Sequence, residues 1–148
     1  MKKIIAFVVM TLVTIPIGLA AQYSDVISQN LQQLPEAAQH FIARHFPNIK
    51  PAYVLLDRDM FEKEYEVLLA NRTEITFDSR GEWKEVDCKF SAVPDAIVPV
   101  HILTYVKNSY PQEFITQIER NRWGVEVELR NDLSFRFNRR GKLVEIDD

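Results

Sequence analysis

The sequence predicts an α+β fold: a tandem repeat of one helix plus a four-stranded antiparallel β-meander, with the helices packed on one face of the sheet or sheets. Three observations carry this. The stretch Tyr65–Asp87 recurs without a gap as Val125–Asp147, so that Val67 matches Val127, Asn71 matches Asn131, Phe77 matches Phe137, Gly81 matches Gly141 and Asp87 matches Asp147. A gapless match at a fixed offset of 60 (127 − 67) marks a duplicated structural unit. Both copies alternate apolar and polar residues with the period of two of a half-buried strand, and a proline-bounded segment of helical periodicity precedes each copy.

Residues 1–21 read as a bacterial signal peptide. Lys2 and Lys3 precede an apolar run from Ile4 to Leu19, and Gly18-Leu19-Ala20-Ala21 supplies small residues for cleavage. The alternative is a membrane anchor, but Thr11, Thr14 and Pro16 interrupt the run, which is short for a span of ~20 residues. No cysteine follows the small residues, which argues against a lipoprotein anchor. The expectation is a periplasmic or secreted protein with no membrane span in the mature chain. That chain, 22–148, is about 127 residues (148 − 21), one domain of two repeats, about 34–88 and 93–148.

Gln22 to Gln33 is either a short helix capped by Ser24 or Asp25 or an extended lead-in. Pro35 suits the first position of a helix that Pro47 stops, with Ala38, Phe41, Ile42 and His45 on one face. A strand follows at about Ala52 to Leu56. Tyr65, Val67 and Leu69 then alternate, and a three-residue loop Ala70-Asn71-Arg72 sets Leu69 against Thr73, Val67 against Ile75 and Tyr65 against Phe77. A two-residue loop would mix the faces. The next turn, Ser79-Arg80-Gly81, ends in glycine, which suits a left-handed residue in a bulge, and leads into Trp83 opposite Phe77. Trp83 is expected against Phe77 and the first helix, near Phe41 and Ile42.

The second copy repeats this order. Pro94 opens a turn, the helix proper starts at about Pro99 and ends before Pro111, and Ile102, Tyr105 and Val106 face the sheet. A strand at about Phe114 to Glu119 alternates Phe114, Thr116 and Ile118. Leu129 faces Leu133, Val127 faces Phe135, Val125 faces Phe137, and Glu126 faces Arg136 as a charge pair on the other side. The last strand of each copy is ambiguous. Unbroken alternation puts Glu85, Asp87, Glu145 and Asp147 on the helix-covered side, so either a bulge re-aims them or they lie beyond the helix edge in water.

Leu34-Pro35, Phe46-Pro47, Tyr65-Glu66-Val67, Phe77-Asp78 and Gly81-Glu82-Trp83, with Val93-Pro94, Tyr110-Pro111 and Phe137-Asn138-Arg139-Arg140-Gly141, resemble the PepSY-like, β-lactamase-inhibitor-like periplasmic proteins. The resemblance covers nearly all of 22–148. It departs at Asn71-Arg72 and Asn131-Asp132, where the family often has asparagine-glycine, and at Asn138, where it has aspartate. It implies export, an α+β tandem repeat and a protein-binding sheet face.

Without Lys2 and Lys3 the chain carries 16 basic and 21 acidic side chains, a net charge of −5, the wrong sign for a nucleic-acid binder. Cys88 is the only cysteine, so there is no internal disulfide; a partly buried thiol at a strand end is favoured over an intermolecular disulfide. His40 and His45 do not share a helical face and form no metal pair. No nucleophile pairing, phosphate loop or active-site constellation is present, so the sequence predicts neither catalytic residues, nor a metal, nor a cofactor, and no enzyme.

The open sheet face is expected to carry Glu66, Leu68, Glu74, Thr76, Lys84, Val86, Glu126, Glu128, Ser134, Arg136, Val144 and Ile146. Of these, Glu126, Glu128, Ser134, Arg136, Val144 and Ile146, with Trp123 as an edge anchor, are the candidate partner-binding residues: apolar area beside fixed charge. The leading reading is an exported, inhibitor-like module that binds another exported protein. A small-ligand or peptide-sensing envelope domain and a structural or envelope-stress protein without a specific ligand are the alternatives.

Overall fold

In the computed structural model, which describes residues 26–58 and 62–148, nine strands form one antiparallel sheet in strict chain order. They are β1 (Val26–Ser28), β2 (Pro51–Arg58), β3 (Lys63–Leu69), β4 (Glu74–Phe77), β5 (Trp83–Asp87), β6 (Ile115–Asn121), β7 (Gly124–Leu129), β8 (Ser134–Asn138) and β9 (Leu143–Asp147). Helix α1 (Glu36–His45) connects β1 to β2, and α2 (Val100–Ser109) connects β5 to β6. The signal segment expected at 1–21 lies outside the described residues. No helix among the described residues is long and apolar enough to cross a membrane.

The stretch before α1 is the extended lead-in: β1, then a 3₁₀ turn at Leu31–Gln33. Its cap is Asn30, whose Oδ1 accepts from the Gln32 N–H at 2.9 Å, rather than Ser24 or Asp25, which lie outside the described residues. Pro35 sits one position earlier than expected, as the cap of α1. Its carbonyl accepts from the Ala38 and Gln39 N–H groups at 3.0 and 3.1 Å. α1 stops at Phe46, because the residue before a proline is driven out of helical conformation. Pro94 opens a 3₁₀ turn at Asp95–Ile97, and α2 starts directly after Pro99, as the prolines predict.

The hairpins have the expected register. Tyr65 faces Phe77 and Val67 faces Ile75 in β3–β4; Val125 faces Phe137 and Val127 faces Phe135 in β7–β8. Each loop closes with a 2.9 Å bond, Leu69 N–H to Thr73 O and Leu129 N–H to Leu133 O. The glycine turns that follow hold Gly81 at φ 86° and Gly141 at φ 75°, the left-handed region that glycine enters at least cost. Asp78 Oδ1 accepts from the Arg80 and Glu82 N–H groups, both at 2.9 Å. Asn138 Oδ1 takes the equivalent bonds at 3.0 and 3.1 Å, so asparagine keeps the turn that aspartate makes.

The bulge resolves the last strands. Phe77 faces Trp83, but Thr76 faces Glu85 and Ile75 faces Val86; Phe137 faces Leu143, Arg136 faces Glu145 and Phe135 faces Ile146. Lys84 and Val144 are the extra residues. Trp83 and Val86 must both point at the core, and a separation of three cannot do that in a regular strand of period two. The extra residue flips the rest of the strand, so Glu85 and Asp87 face the open side and Val86 is buried. Val86 therefore does not belong to the open face, contrary to expectation. A similar irregularity at Thr116 puts Ile115 and Ile118 in the core, in place of an alternation through Phe114 and Thr116.

The core is a row across the sheet: Ile75, Val86, Ile118, Val127 and Phe135, each no more than 1 % exposed. Both helices touch this side. Ala38 and Ile42 of α1 are buried, and the Phe41 ring meets Phe77 edge-on at 5.6 Å and Trp83 at 6.2 Å. Ile102 and Val106 of α2 are buried, and Tyr105 meets Phe135 at 5.6 Å and Phe137 at 5.7 Å. Cys88 is a buried thiol just past β5, and burial pushes its pKa up.

Candidate binding face

Directly opposed residues of neighbouring strands share a side of the sheet, so the register maps the side the helices do not touch. One row runs Leu55, Glu66, Thr76, Glu85, Glu119, Glu126, Arg136, Glu145, with five glutamates and one arginine. The next runs Tyr53, Leu68, Glu74, Asp87, Gln117, Glu128, Ser134. Glu85, Glu119 and Glu126 stand abreast on three adjacent strands. Like charges directly opposed across strands destabilise a sheet.

Cations flank this centre. Arg136 Nε donates to Glu126 Oε2 at 3.1 Å, and its Nη1 meets Glu145. Lys89 pairs with Asp87 at 2.6 Å and Glu74 at 3.0 Å. Lys84 pairs with Glu64 and lies 3.5 Å from Glu62. Tyr53 donates to Glu66 Oε1 at 2.9 Å; burial and then this bond push its pKa up to about 12.

The carboxylates themselves are perturbed. Burial, then the Glu119 charge opposite, raise the Glu85 pKa, although the Gln117 amide donates to Glu85 Oε1 at 2.5 Å and opposes the shift. Burial, then Asp132, Asp87 and Glu126, raise that of Glu128. Two hollows on this side are lined by polar groups, one by Gln117, Glu119, Glu126 and Glu128 with Val127, the other by Glu62, Lys63, Glu64, Asp78, Ser79 and Lys84. Neither has the mainly apolar lining of a small-molecule site. No group of three or more metal-ligating side chains among the described residues is arranged to hold an ion.

Four predicted binding residues, Glu126, Glu128, Ser134 and Arg136, come together on this face. Three do not. Ile146 faces Phe135, so it lies on the core side of the outermost strand, where it is still 53 % exposed. Val144 occupies the bulge of that strand, 55 % exposed. Trp123, expected as an edge anchor, lies in the turn before Gly124. There it is 67 % exposed, its N–H donates to Asn121 Oδ1 at 2.8 Å, and Arg122 lies 4.6 Å from its ring centre. The residues the sequence reading missed are Glu85, Glu119 and Glu145. Val86 and Cys88, two apolar residues in alternation with Glu85 and Asp87, were the available signal.

The family described as "Putative beta-lactamase-inhibitor-like, PepSY-like" matches residues 21–75 and 63–145. The chain belongs to the PepSY-like family. Among solved structures, a "putative periplasmic protein" of Bacteroides vulgatus is 38 % identical over 86 % of this chain and 99 % of its own, with TM-score 0.80. A second B. vulgatus protein, "of unknown function", is 38 % identical over 84 % of this chain and 100 % of its own, also at TM-score 0.80. A "putative calcium-regulated periplasmic protein" of Bacteroides thetaiotaomicron is 37 % identical over 84 % and 95 %, with TM-score 0.79. No curated protein matches this chain.

Proposed function

We propose that this PepSY-like chain is an exported, non-enzymatic module whose open sheet face binds a cationic surface of another exported protein. The observation that carries the reading is the line Glu85, Glu119, Glu126 across β5, β6 and β7. Three opposed carboxylates weaken the sheet that holds them, and a positively charged partner would turn that cost into complementarity, which steers encounter and selects partners. Export rests on the leader-like residues 1–21 and on the periplasmic descriptions of the similar structures. The unit is read as two repeats, about 34–88 and 93–148, supported by the identical β4–β5 and β8–β9 registers.

Affinity capture from an envelope extract tests this. Wild-type protein should retain one stoichiometric protein that moderate salt releases, and Glu119→Lys with Glu126→Lys should lose it. Equal retention by the variant would overturn the reading. Calcium added to the extract separates a second reading, favoured by the description of the B. thetaiotaomicron relative and the same carboxylates. Calcium that changes the bound state of purified protein, with no protein captured, would make this a cation-responsive module.

A further inference from the structure

We propose that the outer edge of β9 accepts an antiparallel strand from the protein partner, one that sets an apolar residue against Ile146 and a basic residue against Glu145. The inference rests on the reading of this chain as a protein-binding module and adds where and how the contact forms.

β5 and β9 have the same register to the strand before them: Ile75 faces Val86 as Phe135 faces Ile146, and Thr76 faces Glu85 as Arg136 faces Glu145. Their outer sides differ. β5 is covered by β6, with Val86 against Ile118 and Glu85 against Glu119, and Val86 is 0 % exposed. β9 is the last strand of the sheet among the described residues, and Ile146 is 53 % exposed. The molecule thus contains the cover that this edge lacks: an antiparallel strand with an apolar residue at the position of Ile118.

The backbone is oriented for it. Leu129 N–H bonds Leu133 O, and Asn138 N–H bonds Lys142 O. Alternation along an antiparallel strand then turns Leu133, Phe135 and Phe137 toward β7 and Ser134, Arg136 and Asn138 toward β9. Ile146, opposite Phe135, therefore points its N–H and C=O outward. Val86 is its counterpart. Cys88, two residues on, donates to Thr116 O in β6 at 2.9 Å, so Val86 also points its backbone groups at β6. An exposed edge with free backbone groups and apolar side chains is a template for strand addition, in which main-chain bonds supply affinity and alternate side chains supply specificity.

Charge selects the occupant. The row that ends at Glu145 carries five glutamates against Arg136. A second copy pairing β9 with β9 antiparallel about Glu145 would oppose two of these carboxylates, whereas a lysine or arginine there adds a second cation to a row in which Arg136 alone serves both Glu126 and Glu145.

The probe is a synthetic peptide of this chain's residues 113–121, which contain β6, with Glu119→Lys. It should bind the full protein and shift and protect the Ile146 amide in NMR spectra. The peptide that keeps Glu119 should bind more weakly. Methylating the peptide nitrogen at Ile118 should weaken binding about tenfold, the equivalent of one main-chain hydrogen bond. Ile146→Pro should weaken it similarly at an unchanged thermal midpoint, because proline is tolerated where the N–H faces outward. No binding, indifference to N-methylation, or shifts confined to the carboxylate face would overturn the proposal. So would a dimer that Ile146→Pro dissolves, which would assign the edge to a second copy. An envelope protein captured equally well by Ile146→Pro would leave the face reading intact and remove the edge from it.

Discussion

Arg72 holds a left-handed backbone, φ 72°, at the third position of the β3–β4 loop, and Asp132 does so at φ 68° in β7–β8. Asn71 and Asn131 support these loops by accepting from the Thr73 and Leu133 N–H groups at 3.1 and 3.4 Å. A β-carbon is strained in that region, whereas glycine is not, at the expense of a freer unfolded chain. Arg72→Gly should therefore raise stability by about 0.5–1 kcal/mol in thermal or urea unfolding; a lower midpoint would mean that Arg72 makes a contact worth more than the strain. Glu85 tests the electrostatics of a single residue. Its carboxyl is raised above the ordinary 4.5 by burial and by Glu119. The folded state then binds the proton more readily than the unfolded state, so ionisation of Glu85 weakens the fold at neutral pH. Stability rises as pH falls through the raised value, and the gain is complete below 4.5. Glu85→Gln should melt above wild type at neutral pH, with the gap closing toward pH 4.5, and a variant that melts lower at neutral pH would show that the charge is stabilising.

At the scale of elements, turns and helix ends were legible because each has a local chemical cause. Prolines placed α1 and α2 to within a residue, and the pairing of Leu69 with Thr73 followed from keeping one face apolar. The bulge at Lys84 was legible only as one of two alternatives for the last strands. It carries no glycine, and period-two reading runs smoothly through Trp83, Glu85 and Asp87 until the burial of Val86 contradicts it. That one extra residue also decides what the open face is. Without it Glu85 and Glu145 would point at the core, and with it they complete the carboxylate row. The bulge frees Trp83 to lie against α1, between Phe41 at 6.2 Å and the Arg120 guanidinium at 4.3 Å, while Arg120 also pairs with Glu82 at 3.0 Å. Trp83→Ala should cost about 2–3 kcal/mol, less than the ~3–5 of a fully buried aromatic because the ring is only partly covered. Denaturant unfolding reads this directly, and a loss under about 1 kcal/mol would mean that α1 does not depend on the ring.

At the scale of the whole molecule, the two sides of the sheet are built to opposite rules. The helix side closes on an unbroken apolar row, and the other side gathers carboxylates that repel one another. Net charge foretold an acidic protein, but not that the charge would converge on one face, because that depends on which strands become neighbours. β5 meets β6 only after α2 has intervened, so Glu85 and Glu119 are far apart in sequence and opposed in space. If this face is kept for binding, relieving it should strengthen the fold and remove the function together. Glu85→Gln, Glu119→Gln and Glu126→Gln combined keep the side-chain shapes and leave Gln117 an acceptor at position 85. The triple variant should melt several degrees above wild type at low ionic strength. The advantage should shrink as salt shortens the screening length from roughly 30 Å toward about 8 Å. The same protein should capture no partner at any salt concentration. Unchanged melting would mean that the carboxylates are already screened where they stand. A variant that melts lower would place Glu126 and its Arg136 bond among the supports of the sheet, and the search for the binding charge would then narrow to Glu85, Glu119 and Glu128.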